Sequence, residues 1–164
     1  MPLDDFFVKG YYTDILSIDI ASEFSNYMFA NCRVSDSMDI AQDVKARLNE
    51  IHLYLAENYV SKIFSSYKIL DNGMWNNVDN GSDIWHNDLS DGKLLNSNIL
   101  LYIDDNRLYN NSIMVRNKIE EFKIQPQPNQ LVWLNQSTCF EHKAVHNSGS
   151  RRLLSFEFFI DGLK

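Results

Sequence analysis

Three residues of this 164-residue chain have the types and the spacing of metal ligands: His86, Asp88 and His142. One residue separates His86 from Asp88, and residues two apart on a β-strand project from the same face. The two side chains can therefore reach one ion together, provided that a third ligand comes from elsewhere in the chain. His142 is the candidate for that ligand, because it follows the apolar run Leu131–Leu134, which is entered from a turn.

Two imidazoles and one carboxylate occupy three corners of a metal and leave the opposite positions open. Non-haem Fe(II) oxygenases use this arrangement, because substrate and oxygen need vacant positions. A structural zinc site would be closed and would usually contain cysteine ligands, whereas Cys32 and Cys139 show no paired spacing. Ni(II), Co(II) and Zn(II) also favour nitrogen and oxygen ligands, so the ligand set does not select iron alone.

Each candidate ligand also has a simpler explanation. Taken singly, His86 is better explained as a hydrogen-bonded strand residue and Asp88 as a cap of the turn at residues 89–93, because polar groups near turns are common. His146 is a rival third ligand, but it lies too near the arginines that follow it for a usual return loop. The combination of His142 with those arginines favours the metal site.

A pair of arginines, Arg151 and Arg152, begins the last predicted strand after His142. Arginine binds a carboxylate through two parallel hydrogen bonds, so either residue suits the far end of a dicarboxylate that chelates the metal. Neighbouring strand residues face opposite sides, and Arg151 lies on the more polar side, which better fits a cavity. We therefore choose Arg151, with a surface ion pair of little energetic weight as the alternative.

Two periodic patterns predict the elements that position these side chains. Apolar residues in Asp39 to Phe64 recur with the period of an α-helix, and Ile18 to Met28 predicts a shorter amphipathic helix. From Tyr67 onward, short runs of β-branched and aromatic residues alternate with Asn, Asp and Gly, which predicts strands. The predicted strands are Tyr67–Leu70, Ile84–Asp88, Asn98–Asp104, Ser112–Val115, Phe122–Gln125, Leu131–Leu134, Lys143–Val145 and Leu153–Ile160.

This order of elements predicts an all-β core with N-terminal helices, arranged as a double-sheet jelly roll. A helix with one apolar stripe must cover another element, and here a sheet is expected. The chain length predicts one domain over residues 1–164, with residues 1–66 as mainly helical support and residues 67–160 as the jelly-roll core.

The charge of the chain restricts its partners. Its net charge is −7, and nucleic-acid binding depends on Lys and Arg that neutralise phosphates, so no nucleic-acid partner is expected. The acidic N-terminus is unlike a secretory signal, and no apolar run approaches the ~20 residues that span a bilayer. We therefore expect a soluble, cytoplasmic protein without membrane association.

The order His86-x-Asp88, then His142, then an arginine resembles the 2-oxoglutarate/Fe(II)-dependent dioxygenase superfamily, and most closely its prolyl-hydroxylase-like branch. The resemblance covers roughly Tyr67 to Ile160. It implies a double-stranded β-helix (jelly roll, cupin-like) in which the two histidines and Asp88 hold Fe(II). It also implies that Arg151 binds the co-substrate 2-oxoglutarate and that Tyr102 contacts the same molecule.

Three asparagines, at two places in the chain, depart from the pattern of that branch. Asn110 and Asn111 stand where relatives often have paired glycines, and Asn129 stands at a turn that often carries glycine. Asparagine can adopt the same left-handed backbone. The departures leave the metal ligands unchanged and bear only on the subfamily.

The resemblance implies an enzyme that hydroxylates a C–H bond and releases succinate and CO2 from 2-oxoglutarate and O2, with ascorbate as a candidate reductant. The expected substrate is a prolyl or other residue of a protein or peptide, or a small molecule. Because fold alone does not decide function, the alternative is a non-catalytic cupin-like module that binds a metal or a small acid. A nucleic-acid demethylase of the same fold is a third hypothesis, which the negative net charge of the chain disfavours.

Overall fold

Helices form most of the N-terminal region of the computed structural model, which describes residues 3–27, 40–76, 84–90, 93–94 and 96–164. The helices are α1 (Leu3–Val8), α2 (Ile20–Phe24), α3 (Gln42–Leu55) and α4 (Ser61–Ile63), with a π-helical turn at Ala56–Val60 between the last two. The long predicted helix is thus present from Gln42 to Ile63 in three consecutive parts. Asp39 and Met28, at the ends of the predicted helices, lie outside the described residues.

The described ranges contain ten strands, which follow or interleave with these helices. They are β1 (Tyr11–Ile15), β2 (Phe64–Asn76), β3 (Leu89–Ser90), β4 (Lys93–Leu94), β5 (Ser97–Tyr102), β6 (Ser112–Arg116), β7 (Glu121–Ile124), β8 (Gln130–Asn135), β9 (Glu141–Val145) and β10 (Arg152–Leu163). Five strands form a major sheet in the order β1-β8-β5-β10-β2, and three form a minor sheet in the order β7-β6-β9. Strands β3 and β4 pair with each other. The mainly β architecture predicted from the sequence is confirmed.

The structure corrects two of the predicted strand assignments. Strand β1 was not predicted, yet it pairs antiparallel with β8 and so brings the N-terminal region into the major sheet. Its residues are nearly all half-buried and show no clean alternation, so period-two patterning does not reveal it. The predicted strand Ile84–Asp88 is reduced to a single bridge at His86, because the Asp88 N–H bonds to the Gln136 side chain instead of to a strand.

Both faces of the major sheet are covered, and each face has its own apolar core. The outer core joins one face of the sheet to α3, through Ile99, Leu101, Trp133, Leu154, Phe156 and Phe158 against Val44, Leu48, Ile51 and Leu55. The inner core joins the other face to the minor sheet, through Leu100, Tyr102, Val132, Leu134 and Leu153 against Ile113, Val115 and Ile124. Strict alternation along β5, β8 and β10 therefore decides which side chains enter the space between the two sheets.

Cys139 is exposed and carries a free thiol, while Cys32 lies outside the described residues. Within the parts of the chain that the structure describes, none of the helices combines the length and the apolarity needed to cross a membrane.

A buried polar chain crosses the outer core and reaches β10 through His52 of α3. The Lys45 ammonium donates to Asn72 Oδ1 (2.7 Å), which turns the Asn72 amide so that its Nδ2 faces His52 Nδ1 at 3.2 Å. His52 Nδ1 is therefore the acceptor, and the protonated Nε2 donates to the Glu157 carbonyl oxygen (3.1 Å). Burial lowers the pKa of His52 to about 4, which the hydrogen bond to Glu157 only partly opposes.

The neutral form of His52 makes stability depend on pH. The unfolded chain takes up a proton at His52 near pH 6.5, whereas the folded chain does so only near pH 4. Between these values the unfolded state binds more protons, so the free energy of unfolding falls as the pH falls. We expect His52 to account for a loss of about 2 kcal/mol between pH 7 and pH 5, measured by urea unfolding.

The control for this prediction is His52→Gln, which has no titrating group at this position. Its free energy of unfolding should fall less between pH 7 and pH 5 than that of the wild type. Equal pH dependence in the wild type and in His52→Gln would contradict the prediction.

Candidate active site

His86 and His142 face each other across one antiparallel bridge at the edge of the minor sheet. The His86 N–H donates to the His142 carbonyl (3.0 Å), and the His142 N–H donates to the His86 carbonyl (2.9 Å). Their rings lie with centroids 4.4 Å apart. The bridge therefore holds two histidines, far apart in sequence, on adjacent backbone positions.

Asp88 completes a three-residue cluster with these histidines. One potential ligand atom from each residue lies within 4.8 Å of the others. Asp88 Oδ1 is 3.3 Å from His142 Nε2 and 3.6 Å from His86 Nε2. Two imidazole nitrogens and one carboxylate oxygen thus converge on a single point, and the donor set suits a first-row divalent metal.

Hydrogen bonds prepare the cluster for a metal. His86 Nδ1 lies 2.7 Å from the Ile84 carbonyl, which can only accept, so Nδ1 carries the proton and Nε2 is left as a ligand. The neighbouring carboxylate of Asp88 raises the pKa of His86, against the opposing effect of burial. Burial raises the pKa of Asp88, but the neighbouring imidazoles of His142 and His86 outweigh it and hold that pKa well below its usual range. Asp88 is therefore an ionised carboxylate.

Two amide side chains hold the carboxylate of Asp88 in place. Gln136 accepts from the Asp88 N–H through Oε1 (3.1 Å) and donates through Nε2 to Asp88 Oδ2 (2.9 Å). Asn98 Nδ2 donates to the same Oδ2 (2.8 Å). Both donors bind Oδ2, so Oδ1 is the oxygen that is left facing the histidines. Neither amide could be recognised as a partner of Asp88 from the sequence, because the contacts of an amide side chain depend on how the strands pair.

Gln136→Ala is expected to weaken metal binding by about 10- to 100-fold, the usual effect of losing an outer partner of a metal ligand. The loss follows because Asp88 would keep only the Asn98 hydrogen bond and could rotate. Isothermal titration with Mn(II), which is stable in air, would measure the change. Gln125→Ala is the matched control, since Gln125 bonds Asn110 outside the cluster. Equal affinities in both variants would contradict the role of Gln136.

A cavity of about 510 Å³ between the two sheets contains the cluster. Its walls combine apolar and polar side chains: Trp75, Ile84, His86, Asn87, Asp88, Asn98, Leu100, Ile113, His142, Ala144, Arg151, Leu153, Ser155 and Glu157. The three candidate metal ligands lie on the side of the minor sheet. Arg151, Ser155 and Glu157 lie on the side of the major sheet. The cavity thus has room for a metal and an organic molecule together.

Arg151 enters this cavity and is 4% exposed. Its Nη2 donates to the Tyr102 hydroxyl (3.1 Å), and its guanidinium lies 5.5 Å from the centre of the Tyr102 ring. Burial raises the pKa of Tyr102, which stays a neutral phenol against the lowering effect of Arg151. The Arg151 Nε–H is buried without a hydrogen-bond partner among the described residues. A buried donor of this kind is costly unless a ligand supplies the acceptor.

The other sequence candidates lie away from the cluster. Arg152 points to the opposite side of the sheet, where its Nη2 binds Asp104 Oδ1 (2.8 Å) and its Nη1 binds the Ser25 carbonyl (2.6 Å). His146 lies 2.6 Å through Nε2 from the Gly149 carbonyl, within the turn that leads to the arginines. Neither belongs to the three-residue cluster formed by His86, Asp88 and His142 among the described residues.

Two of the three asparagines that depart from the family pattern have a backbone conformation that favours glycine. Asn110 has φ 53° and Asn129 has φ 63°, both in the left-handed region. Asn129 also accepts from the Ala21 N–H through Oδ1 (2.6 Å) at the start of α2. The turns are therefore kept, and Asn129 adds a tie between the turn and a helix.

Comparison with known proteins rests on structure, since no protein-family model and no curated protein matches the sequence. HygX from Streptomyces hygroscopicus, solved with nickel, 2-oxoglutarate and hygromycin B, matches with a TM-score of 0.70 and 14% identity, over 96% of this chain and 86% of HygX. A Pseudomonas putida prolyl-4-hydroxylase matches with a TM-score of 0.62 and 12% identity, over 98% and 97%.

A third match is a prolyl hydroxylase from Trichoplax adhaerens in complex with a peptide fragment of hypoxia inducible factor. Its TM-score is 0.65 and its identity is 10%, over 96% of this chain and 87% of that chain. At sequence identities this low, the matches are evidence for the fold, and all three proteins share the same fold. The chain therefore has the double-stranded β-helix fold that its resemblance to prolyl-hydroxylase-like 2-oxoglutarate oxygenases predicted.

Proposed function

We propose that this chain is an Fe(II)- and 2-oxoglutarate-dependent dioxygenase that hydroxylates a C–H bond and releases succinate and CO2. One observation carries the proposal: a cluster of two histidines and one aspartate shares a cavity with a buried arginine that has an unused donor. The ligand set is one that non-haem Fe(II) oxygenases use. The same fold holds a metal together with 2-oxoglutarate in HygX, which supports the assignment.

In this proposal the three clustered residues hold the metal. His86 and His142 contribute Nε2, and Asp88 contributes Oδ1. The hydrogen bond that His86 donates to the Ile84 carbonyl, and those that Asp88 accepts from Asn98 and Gln136, orient these ligands before the metal arrives. Iron bound there, with 2-oxoglutarate and O2, supplies the oxidising chemistry.

Arg151 is proposed to bind the distal carboxylate of 2-oxoglutarate. Its planar fork matches a carboxylate, and the buried Nε–H would gain its missing acceptor. Tyr102 fixes the guanidinium from the other side through its hydroxyl and its ring. The apolar walls Leu100 and Leu153 exclude water around this contact, which strengthens it.

The substrate proposed here is either a residue of a protein or peptide, such as proline, or a small molecule. Structural neighbours support both classes: one was solved with a peptide fragment of hypoxia inducible factor and another with hygromycin B. Ascorbate is proposed as the reductant that keeps the metal in its Fe(II) state between turnovers.

The test is an anaerobic titration of the protein with Fe(II) and then 2-oxoglutarate, followed by exposure to O2. We expect a weak visible charge-transfer band from the chelated co-substrate, and then oxygen-dependent formation of succinate. A protein that binds both ligands without forming succinate would be a non-catalytic binding module of the cupin type. Absence of the band at every concentration would overturn the proposed metal and co-substrate site.

A further inference from the structure

One wall of the cavity presents hydrogen-bond acceptors. Alternation along β10 places Ser155 and Glu157 on the inner face, and both line the cavity. Asn98 of β5 is the direct cross-strand partner of Glu157 and lines the cavity beside it. All three are buried, with Glu157 and Ser155 at 1% exposed and Asn98 at 4%. Glu157 thus adds a buried carboxylate to the polar groups of this wall.

The orientation of the Asn98 amide is determined by Asp88. The ionised carboxylate of Asp88 can only accept, so Asn98 turns its Nδ2 toward Asp88 Oδ2 (2.8 Å). Its Oδ1 is therefore an acceptor, and this atom is buried without a partner among the described residues. The Ser155 Oγ is likewise buried without a hydrogen-bond partner among the described residues. Two buried polar atoms beside a carboxylate can therefore accept hydrogen bonds from a bound group with N–H donors.

The acceptor wall lies farther along the chain than the proposed co-substrate anchor, Arg151, which immediately precedes β10. Glu157 is six positions after Arg151, which is roughly 20 Å along an extended strand. A dicarboxylate anchored on Arg151 would be repelled by a second carboxylate, so Glu157 does not serve the co-substrate. It lies instead beside Asn98, which contacts the metal-ligand candidate Asp88. The wall therefore borders the cluster of metal-ligand candidates in the same cavity.

The backbone of Glu157 is held in a specific way. The pairing of β10 with β2 shifts register between Phe156 and Phe158, where two residues of β2 lie opposite Glu157. Beside this irregularity, His52 donates to the Glu157 carbonyl (3.1 Å), and Phe158 packs its ring against His52 with centroids 4.6 Å apart. On its other side, Glu157 keeps regular pairing with Asn98 of β5. The fold thus fixes Glu157 from behind while its side chain faces the cavity.

We propose that the substrate of this oxygenase carries a protonated amine, which pairs with Glu157 and donates hydrogen bonds to Asn98 Oδ1 and Ser155 Oγ. This inference rests on the proposed function and narrows its substrate to cationic molecules or to residues with a cationic side chain. An ammonium group has three donors and no acceptor, which matches a wall of three acceptors. The neutral prolyl ring offers no such group.

The probe is n-butylammonium chloride, compared with 1-butanol at equal ionic strength, added anaerobically to the complex of the whole chain with Fe(II) and 2-oxoglutarate. A molecule bound beside the metal changes the visible charge-transfer band, so each affinity can be read from that change. We expect the ammonium to bind at least about ten-fold more tightly than the alcohol, because its hydrogen bond to a buried carboxylate is charge-assisted. Equal affinities in the wild type would overturn the proposal without any variant.

Two variants sharpen the test. Glu157→Gln should lose the preference for ammonium over alcohol, whereas Glu121→Gln, which changes an exposed glutamate of β7, should keep it. A preference that survives in Glu157→Gln would show that another group binds the cation and would overturn the role of Glu157. Loss of the band itself in the wild type would instead refute the proposed function, so the two failures are distinct.

Discussion

Replacement of His142 by alanine is expected to abolish the charge-transfer band and the formation of succinate. Fe(II) affinity should fall by more than about 100-fold, since losing only an outer partner of a ligand already costs about 10- to 100-fold. The physical reason is that Asp88 and His86 alone offer two donors, and His142 Nε2 lies only 3.3 Å from the same carboxylate oxygen. Anaerobic titration with Fe(II) and 2-oxoglutarate measures the effect.

Two controls separate this effect from misfolding. His142 exchanges only backbone hydrogen bonds with His86, so alanine keeps the bridge and removes just the ring. Urea unfolding would report how much stability the lost ring costs. His146→Ala is the matched histidine variant, because its ring bonds a turn carbonyl away from the cluster. A folded His142→Ala protein with wild-type Fe(II) affinity would remove His142 from the metal site.

Replacement of Arg151 by alanine is expected to raise the 2-oxoglutarate concentration needed for half-maximal band intensity by on the order of 100-fold. Truncating one partner of a buried, hydrogen-bonded charge pair costs about 2–5 kcal/mol, and each 1.4 kcal/mol is a factor of ten. Fe(II) binding without 2-oxoglutarate should change little, because Arg151 is not part of the three-residue cluster. The two titrations together distinguish a co-substrate anchor from a general structural role.

Arg152→Ala is the matched control for Arg151. Arg152 binds Asp104 and the Ser25 carbonyl on the other side of the sheet, so its loss should lower stability without changing the 2-oxoglutarate requirement. Arg151→Lys should recover part of the affinity, since lysine keeps the charge but not the planar fork. If Arg152→Ala, and not Arg151→Ala, raised the requirement, the assignment of the two arginines would be reversed.

The face of the sheet on which each strand residue lies could be predicted from the sequence. The last strand alternates polar and apolar side chains, and that pattern alone predicted that Arg151 and Arg152 face opposite sides, as they do. The helical period of the region before Phe64 likewise indicated α3 and the face it buries. Such patterns are readable because each residue's face depends only on its neighbours in the chain.

Pairing between distant segments could not be predicted in the same way. Strand β1 lies at the edge of the major sheet, and its five residues carry no alternation that would reveal a strand. The segment from Ile84 to Asp88 alternates like a strand but makes only one bridge, because Gln136 takes the Asp88 N–H. Competition between a side chain and a strand for one N–H is decided by tertiary structure.

The sequence by itself determined the chemistry available to this protein: two histidines, a carboxylate and an arginine, in an order typical of one superfamily and on strands whose faces follow from period two. Only the tertiary structure decided what surrounds them. It turned the amides of Asn98 and Gln136 onto Asp88, and it paired Glu157 with Asn98 across neighbouring strands. Residue type and face are local properties, whereas the partner of each polar atom depends on strand register, which contacts across the whole chain decide.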